Sequence, residues 1–110
     1  MRINQYRTMW IMVLYDLPTE TKVDRKNFTK FRNALLKDGF EMFQFSMYIR
    51  HCSSKENANV HIQRVINNLP PKGKIGILMI TDRQFGEMQV FYGRDKIEEP
   101  IDFPIQLELF

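Results

Sequence analysis

The chain has 110 residues, of which 44% are hydrophobic and 26% charged, and its formal net charge is +3. These values indicate one soluble domain, and no apolar run approaches the roughly 18 residues of a membrane span, which argues against a membrane partner. Cys52 is the only cysteine, so an internal disulfide is excluded and we expect a cytoplasmic protein. The mild positive charge permits a nucleic-acid partner without requiring one.

The first predicted elements are a strand and a helix. Residues 9–15 form a continuous apolar run that ends in turn residues beginning at Asp16, which predicts a buried strand. Thr21 and Asp24 have the spacing of a capping box, and Gly39 supplies a stop, so a helix is predicted between them. One side of this helix is apolar and consists of Val23, Phe28, Phe31, Ala34 and Leu35.

Two short strands and a second helix follow. The strands are predicted over residues 41–45 and 47–52, with Ser46 at the break between them. Ser53 and Glu56 repeat the capping-box spacing, and the helix that they open ends before a Pro-Pro pair. The apolar side of this helix consists of Ala58, Ile62, Val65, Ile66 and Leu69.

The last predicted elements are a strand over residues 74–81, a turn with a short helical piece over 82–88, and a short strand over 89–92. The order β-α-β-β-α-β predicts an α+β fold, the ferredoxin-like sandwich. We therefore assign residues 1–92 to a ferredoxin-like domain. Residues 93–110 are assigned to a connector and a C-terminal extra strand.

The predicted sheet has more apolar surface than its helices can cover. Two helices cover one face of an antiparallel sheet, so its strands should alternate between apolar and polar residues. Residues 9–15 and 75–80 do not alternate, and either a long tail or a second copy must cover the other face. The tail has an apolar residue at every second position from 101 to 109. We expect a homodimer with stacked sheets, in which the tail strand is swapped onto the partner's sheet edge.

Asp16 is the first candidate functional residue. An aspartate followed by Leu-Pro-Thr is common turn chemistry, and this is one reading of its position. The other reading is a ligand for a hard cation such as Mg²⁺. One carboxylate is too little to hold the ion, but a two-fold axis near the strand end would bring two copies of Asp16 together. With waters and a phosphate oxygen, such a pair could coordinate one metal ion.

The outer side of the first helix is the second candidate. Its basic residues are Lys22, Lys26, Lys30 and Lys37, with Arg25 and Arg32 along a neighbouring line. Such a face is either simply solvated or binds the phosphates of a nucleic acid without reading sequence. The spacing of His51, Cys52 and His61 matches no zinc site, and structural roles are expected for these residues.

Four segments together resemble a known family. They are "VLYDLPT" (residues 13–19), "DRKNFTKFRNALLKDGF" (24–40), "QFSMYIR" (44–50) and "TDRQF" (81–85). In this order and spacing the chain resembles CRISPR-associated protein 2, the small subunit of the spacer-acquisition machinery, over residues 9–92. The "LPT" and the lengthened tail are similar to members from systems with a single large RNA-guided effector.

The resemblance implies a fold, an activity and site residues. Family members are ferredoxin-like homodimers described as Mg²⁺-dependent endoribonucleases, some of which also cut duplex DNA. The resemblance implies that Asp16 is the catalytic and metal-binding residue and that Arg25 matches the family's basic residue early in the first helix. Ser46 matches the serine of an aromatic-Ser turn, and Tyr15 completes an aromatic-Asp pair; either could assist.

The resemblance also implies partners. Two dimers of the CRISPR integrase flank one central dimer of the family member, and the assembly holds a short duplex DNA destined for the repeat array. Under this reading the chain is a scaffold, and its C-terminal residues 104–110 are a candidate integrase-binding edge. Two alternatives stay open: an active metal-dependent RNA or DNA endonuclease that works independently of scaffolding, and a toxin-like dimer that cleaves messenger RNA outside CRISPR. Single-stranded RNA is a further candidate partner.

Overall fold

The structure is a computed structural model, and it describes residues 8–97. The main elements are β1 (Met9–Asp16), α1 (Lys22–Lys37), β2 (Glu41–Gln44), β3 (Met47–Cys52), α2 (Lys55–Asn67), β4 (Lys74–Thr81) and α3 (Asp82–Gly86). A terminal hairpin consists of β5 (Val90–Tyr92) and β6 (Asp95–Ile97). Within the described residues, no helix has the length and apolar character needed to cross a bilayer.

The main sheet has four strands in the order β2-β3-β1-β4, and every neighbouring pair is antiparallel. β1 lies in the centre, where Trp10 pairs with His51 of β3 on one side and with Ile80 of β4 on the other. The β-α-β-β-α-β order and this strand order are those of a ferredoxin-like sheet. The predicted α+β fold is therefore confirmed. The expected stacking of two copies stays a prediction, because the structure contains one chain.

Side-chain caps fix where the two long helices begin. At α1, Thr21 Oγ1 accepts a hydrogen bond from Asp24 N at 3.0 Å, and Asp24 Oδ2 accepts one from Thr21 N at 3.3 Å, as the capping box predicts. At α2 the sequence prediction is off by one residue. The N-cap is Ser54, whose hydroxyl accepts from Asn57 N at 3.0 Å, and not Ser53.

The main core lies between the sheet and the two long helices. Buried residues of β1 pack there against α1 and α2, and the cluster includes Ile11, Val13, Tyr15, Phe31, Leu35, Ala58 and Val65. Three predicted core positions are wrong. Val23 is exposed because it lies about 80° around α1 from Phe31. Ile66 and Leu69 are also exposed, and Leu69 is exposed because it follows the end of α2. On the buried side of α2, His61 is buried instead.

The other side of the sheet, here called the outer face, carries a second and smaller core. Trp10 and Met12 of β1 pack there with Ile49 of β3 and with Phe85 of α3. The short helix α3 therefore covers one end of the outer face. This corrects the expectation that only a tail or a second copy could cover it. Outside that cover, Leu14 of β1 is 42% exposed, and Leu78, which lies opposite Met12 on β4, is 51% exposed.

The end of the described chain differs from the predicted connector. β5 and β6 form an antiparallel hairpin in which Val90 pairs with Ile97 and Tyr92 with Asp95. The predicted domain boundary between residues 92 and 93 thus falls inside this hairpin, because Gly93 and Arg94 make its turn. The predicted C-terminal strand and its apolar alternation lie outside the described residues.

Candidate nucleic-acid and metal site

Asp16 is the last residue of β1, and its side chain is exposed. Successive residues of a strand point to opposite faces, so Asp16 shares the outer face with Leu14 and Met12. It therefore lies at the end of the outer face that α3 leaves uncovered. The carboxylate is reachable from solvent and borders an apolar patch.

Two close contacts fix the backbone around Asp16. Tyr15 N donates a hydrogen bond to Ser46 O at 3.0 Å, which ties the strand end to the β2–β3 turn. On the other side Gly73 approaches so closely that a Cβ there would lie 2.9 Å from Asp16 O and would collide with the Leu17 side chain. Gly73 also has a φ of +104°, which L side chains rarely adopt. The position of Asp16 is thus fixed by both neighbouring strands.

The β2–β3 turn brings Ser46 to the same end of the sheet. Ser46 has a φ of 61°, the left-handed conformation that is uncommon for residues other than glycine. Its neighbour Phe45 is 78% exposed, and its ring stacks on Phe28 of α1 with centroids 6.2 Å apart. An exposed aromatic ring can stack on an unpaired base. The structure therefore places the predicted Ser46, with an exposed ring beside it, next to the end of β1.

Tyr15 lies on the face opposite to Asp16 and is buried. Its ring packs edge-on against Phe31 and Phe28, with centroids 5.2 and 5.9 Å away, and stacks on Tyr48 at 6.0 Å. Burial, followed by the nearby Tyr48, raises the pKa of Tyr15 well above its ordinary value. A neutral phenol inside the core holds the strand in place, and its position does not support the assisting role expected for it.

Arg25 holds the loop that follows Asp16 through two hydrogen bonds. Its Nη1 donates hydrogen bonds to Thr19 O at 3.1 Å and to Glu20 O at 3.0 Å. The guanidinium is exposed, so these bonds do not remove it from solvent. The residue expected to bind nucleic acid therefore also has a structural role, which is to hold the β1–α1 loop against the first turn of the helix.

The remaining basic residues of α1 lie on its solvent side. All of them are exposed, and within residues 8–97 none forms an ion pair with a carboxylate. They are Lys22, Lys26, Lys30, Arg32 and Lys37. The first and last are about 22 Å apart along the helix axis, because each residue rises 1.5 Å. The structure brings the first turn of α1 to the Asp16 end of the sheet and leaves Lys37 at the far end.

The described residues contain no group of three or more histidine, cysteine or acidic side chains that could hold a metal ion. Asp16 alone can therefore supply one carboxylate ligand. Mg²⁺ usually keeps several waters and takes one or two carboxylates together with substrate phosphates, so a single exposed carboxylate fits one part of such a site. The other oxygen ligands of such a site would have to come from outside these residues.

The strand register places one residue near Asp16 that the sequence analysis missed. Lys74, the first residue of β4, pairs directly with Asp16 and is exposed. Directly opposite residues on an antiparallel pair point to the same face. A lysine and an aspartate thus share the uncovered end of the outer face. No local sequence signal reveals this pairing, because it depends on how β4 aligns with β1.

The histidine expected to be structural lies at the far end of α1. His61 Nδ1 is 2.8 Å from Asp38 Oδ2, and Arg64 Nη1 is 2.7 Å from Asp38 Oδ1. Burial by itself raises the pKa of Asp38, but the hydrogen bonds from His61 and Arg64 outweigh it and hold that pKa below its ordinary value. A groove of about 380 Å³ adjoins this cluster between α1 and α2. The two contacts of Asp38 join the end of α1 to α2, at a place remote from Asp16.

The fold and the open, charged edge define a small ferredoxin-like protein with a basic helix and one carboxylate at the end of its first strand. Residues 9–88 match the family model described as CRISPR associated protein Cas2. The chain belongs to this family, and the resemblance seen in the sequence is confirmed.

Several relatives support the same assignment, and each is named CRISPR-associated endoribonuclease Cas2. The protein of Flavobacterium psychrophilum is 58% identical over 110 residues, covering 99% of this chain and 94% of the relative. That of Parvibaculum lavamentivorans is 46% identical over 102 residues, covering 93% and 100%. That of Paracidovorax avenae is 43% identical over 105 residues, covering 96% of each.

Proposed function

We propose that this chain is a homodimeric subunit of CRISPR adaptation. In this role it binds duplex DNA together with the CRISPR integrase, and Asp16 gives it Mg²⁺-dependent endoribonuclease activity. The observation that carries the proposal is the position of Asp16, which lies at the border of the uncovered apolar end of the outer face. A surface that buries this apolar patch also brings a partner to the carboxylate.

The uncovered patch is suited to a second copy of the chain. Leu14 and Leu78 are about half exposed and lie on neighbouring strands. Leu14 is two residues from Asp16. Isologous interfaces place the same patch of both subunits across a two-fold axis. An axis through this patch would bring the two copies of Asp16 towards each other. The pair would then provide two carboxylates where one chain provides one.

The proposed metal chemistry needs little from the protein besides these carboxylates. When bound, Mg²⁺ would activate a water molecule and stabilise the negative charge that builds up on the phosphate. The role of Asp16 is to supply an oxygen ligand from a fixed strand end. Gly73 and Ser46 hold that end in place, as their backbone contacts show.

The exposed lysines of α1 are the proposed DNA-binding surface. They extend for about 22 Å along one rigid helix and have no acidic partner within residues 8–97. Ammonium groups of this kind bind backbone phosphates and release counterions, so the affinity falls steeply as salt rises. Contacts to phosphates position a duplex without reading its sequence, which suits a scaffold that must hold any short DNA.

Two variants separate the scaffold from the nuclease. Asp16→Asn should abolish cleavage of RNA and leave integration of a short duplex nearly unchanged. The double variant Lys26→Glu and Lys30→Glu should block integration, because it reverses charge at the centre of the DNA surface. Lys55→Glu with Lys96→Glu is the matched control, since both residues are exposed and lie outside α1. Integration by the Lys26/Lys30 variant equal to that of the control would contradict the scaffold proposal.

A separate experiment tests the dimer. Leu78→Glu places a charge on the uncovered patch and should convert a dimer into a monomer in light scattering. Val60→Glu is the control, because Val60 is similarly exposed but belongs to α2 on the opposite side of the sheet. A wild-type mass of one chain at every concentration would contradict the dimer.

The second candidate function is an endonuclease that acts without the integrase. The name endoribonuclease, which the three relatives carry, favours this candidate. It predicts that the wild-type protein alone cleaves single-stranded RNA in Mg²⁺ and that Asp16→Asn does not. Membership of a CRISPR-associated family disfavours a toxin-like dimer acting outside CRISPR.

A further inference from the structure

The ring of Phe45 lies on the helix side of the sheet. It stacks on Phe28 of α1, with centroids 6.2 Å apart and an angle of 25° between the ring planes. Phe28 packs against the main core, which lies between the sheet and the two long helices. The Phe45 ring therefore lies beside α1 and away from the patch on the outer face that the proposed second copy would cover.

One face of the Phe45 ring is open to solvent. The residue is 78% exposed even though Phe28 lies against one side of its ring. Phe28 in turn packs edge-on against the buried Tyr15, with centroids 5.9 Å apart. The support beneath Phe45 is thus anchored in the core, and a flat ring of a ligand can stack on the open face without rearranging that support.

The backbone of the β2–β3 turn fixes where this ring lies. Ser46 has a φ of 61°, and its carbonyl oxygen accepts a hydrogen bond from Tyr15 N at 3.0 Å. Strands bonded in this way are about 4.8 Å apart. The next residues along the two strands, Phe45 and Asp16, therefore lie at the same end of the sheet. A nucleotide whose base rests on Phe45 keeps its phosphates near the end of β1.

Two arginines flank the aromatic pair. Arg25 lies three residues before Phe28 and Arg32 four residues after it, and side chains at these spacings are neighbours on one side of a helix. Both arginines are exposed, and within residues 8–97 neither forms an ion pair with a carboxylate. Proteins that bind single-stranded nucleic acid combine an exposed ring for the bases with cations for the backbone.

We propose that Phe45, supported by Phe28 and flanked by Arg25 and Arg32, stacks on an unpaired base of single-stranded RNA. The open ring face holds the base, and the two guanidinium groups bind the neighbouring phosphates. An internal base of a duplex is already stacked on both faces, so the subsite selects a single strand. The inference rests on the nuclease part of the proposed function and adds a positioning residue near Asp16.

The first test measures binding of single-stranded RNA in the presence of a chelator, so that no Mg²⁺-dependent cleavage occurs. The RNA carries 2-aminopurine, whose fluorescence falls when it stacks on an aromatic ring. Phe45→Ala should weaken binding by about five- to twentyfold and remove the fall in fluorescence. The affinity for duplex DNA in the same buffer should stay unchanged.

Matched variants show whether stacking is the cause. Phe45→Tyr should keep both the affinity and the fall in fluorescence, whereas Phe45→Leu should lose both, because leucine is apolar but has no flat ring. Tyr92→Ala is the control, since Tyr92 is 73% exposed and belongs to the terminal hairpin. Thermal unfolding of all the variants should give midpoints close to that of the wild type, because both aromatic residues are largely exposed.

The second test measures cleavage of the same RNA in Mg²⁺. Phe45→Ala should raise KM more than it lowers kcat, because the ring holds the substrate and does not touch the reacting phosphate. Phe45→Tyr should restore KM. A fall in kcat with an unchanged KM would contradict a positioning role for Phe45.

The outcomes separate this inference from the proposed function. Equal affinity and equal fluorescence for Phe45→Ala and Tyr92→Ala would overturn the subsite, and so would an equal loss of affinity for RNA and for duplex DNA. A changed mass of Phe45→Ala in light scattering would also overturn it, since Phe45 would then belong to an interface. If Asp16→Asn leaves cleavage unchanged, the nuclease proposal fails, and the binding measurements still decide whether Phe45 holds a base.

Discussion

The two ends of the outer face are built in different ways. At one end α3 closes the sheet: the ring of Trp10 stacks on Phe85 with centroids 4.1 Å apart, and Trp10 Nε1 donates to Asp82 Oδ1 at 2.7 Å. Beyond that cover, Leu14 beside Asp16 and Leu78 opposite Met12 stay about half exposed. The same sheet thus has one end completed by its own chain and one end left incomplete.

The difference shows that exposure of side chains and freedom of the backbone are separate properties. The Asp16 end has little side-chain cover, yet Ser46 and Gly73 hold its backbone from both sides. An incomplete apolar surface on a fixed backbone is what an interface between subunits requires, because little ordering is left to be done on association. The closed end contributes stability, and the open end is where the proposed second copy would bind.

The largest expected difference between the two ends is in the free energy of unfolding. Trp10→Ala should lower it by about 3–5 kcal/mol, because it removes a buried ring and its stacking partner loses contact. Leu14→Ala should cost about 1 kcal/mol or less in dilute protein, and more as the concentration rises if a second copy covers it. Urea denaturation at several concentrations measures both. A large cost of Leu14→Ala in dilute protein would contradict the comparison.

The bond between Trp10 and Asp82 gives the next effect. Asp82→Ala leaves the buried indole N–H without its partner and should cost about 1.5–3 kcal/mol. Asp82→Asn should cost less, because the amide oxygen can still accept the bond. Trp10 is the only tryptophan, so its fluorescence reports directly on how α3 closes the sheet. A spectrum and a stability of Asp82→Ala equal to those of the wild type would show that the bond does not hold α3.

A matched pair of glycines tests the claim that the open end has a fixed backbone. Gly73→Ala should lower the free energy of unfolding by about 1–3 kcal/mol, because its φ is +104° and the new Cβ would crowd Asp16 O. Gly76→Ala should change the free energy of unfolding by less than about 1 kcal/mol, since the Cβ there would make only an ordinary van der Waals contact with Leu14 O. Thermal unfolding measures both, and a larger cost at Gly76 would contradict this account.

The smallest expected effect concerns pH and the cluster around Asp38. Because its pKa is lower in the folded chain than its ordinary value, the carboxylate stabilises the fold above that ordinary value. This contribution should be lost as the pH falls below about 3.9 towards the lower folded pKa. Urea denaturation over this range should show a shallower decline for Asp38→Asn than for the wild type. Parallel declines would mean that other carboxylates dominate.

Much of the fold could be predicted because its signals are local. The capping box of Thr21 and Asp24 and the apolar run ending at Asp16 each depend on a few neighbouring residues. Local signals also explain the errors. Ser53 and Ser54 stand side by side, and only the backbone conformation shows which one caps α2. The hairpin at the end of the described chain was missed because its second strand, Asp95–Ile97, is short and partly charged.

The site was harder to predict than the fold because its geometry is not local. The position of Asp16 followed from the end of a strand, and alternation along β1 would have shown that Tyr15 faces away from it. Lys74 belongs to another strand, and its place opposite Asp16 depends on the register between β4 and β1. A register is set by the packing of the whole sheet, so no pattern near either residue encodes it.

The bonds from Arg25 to the β1–α1 loop have a consequence for ligand capture. They use Nη1 alone, and within residues 8–97 its Nε and Nη2 make no hydrogen bond. A long side chain usually loses rotational freedom when it binds an anion. Here Thr19 and Glu20 have already removed much of that freedom, so an anion arriving at the other edge of the guanidinium would meet a donor whose orientation is set in advance.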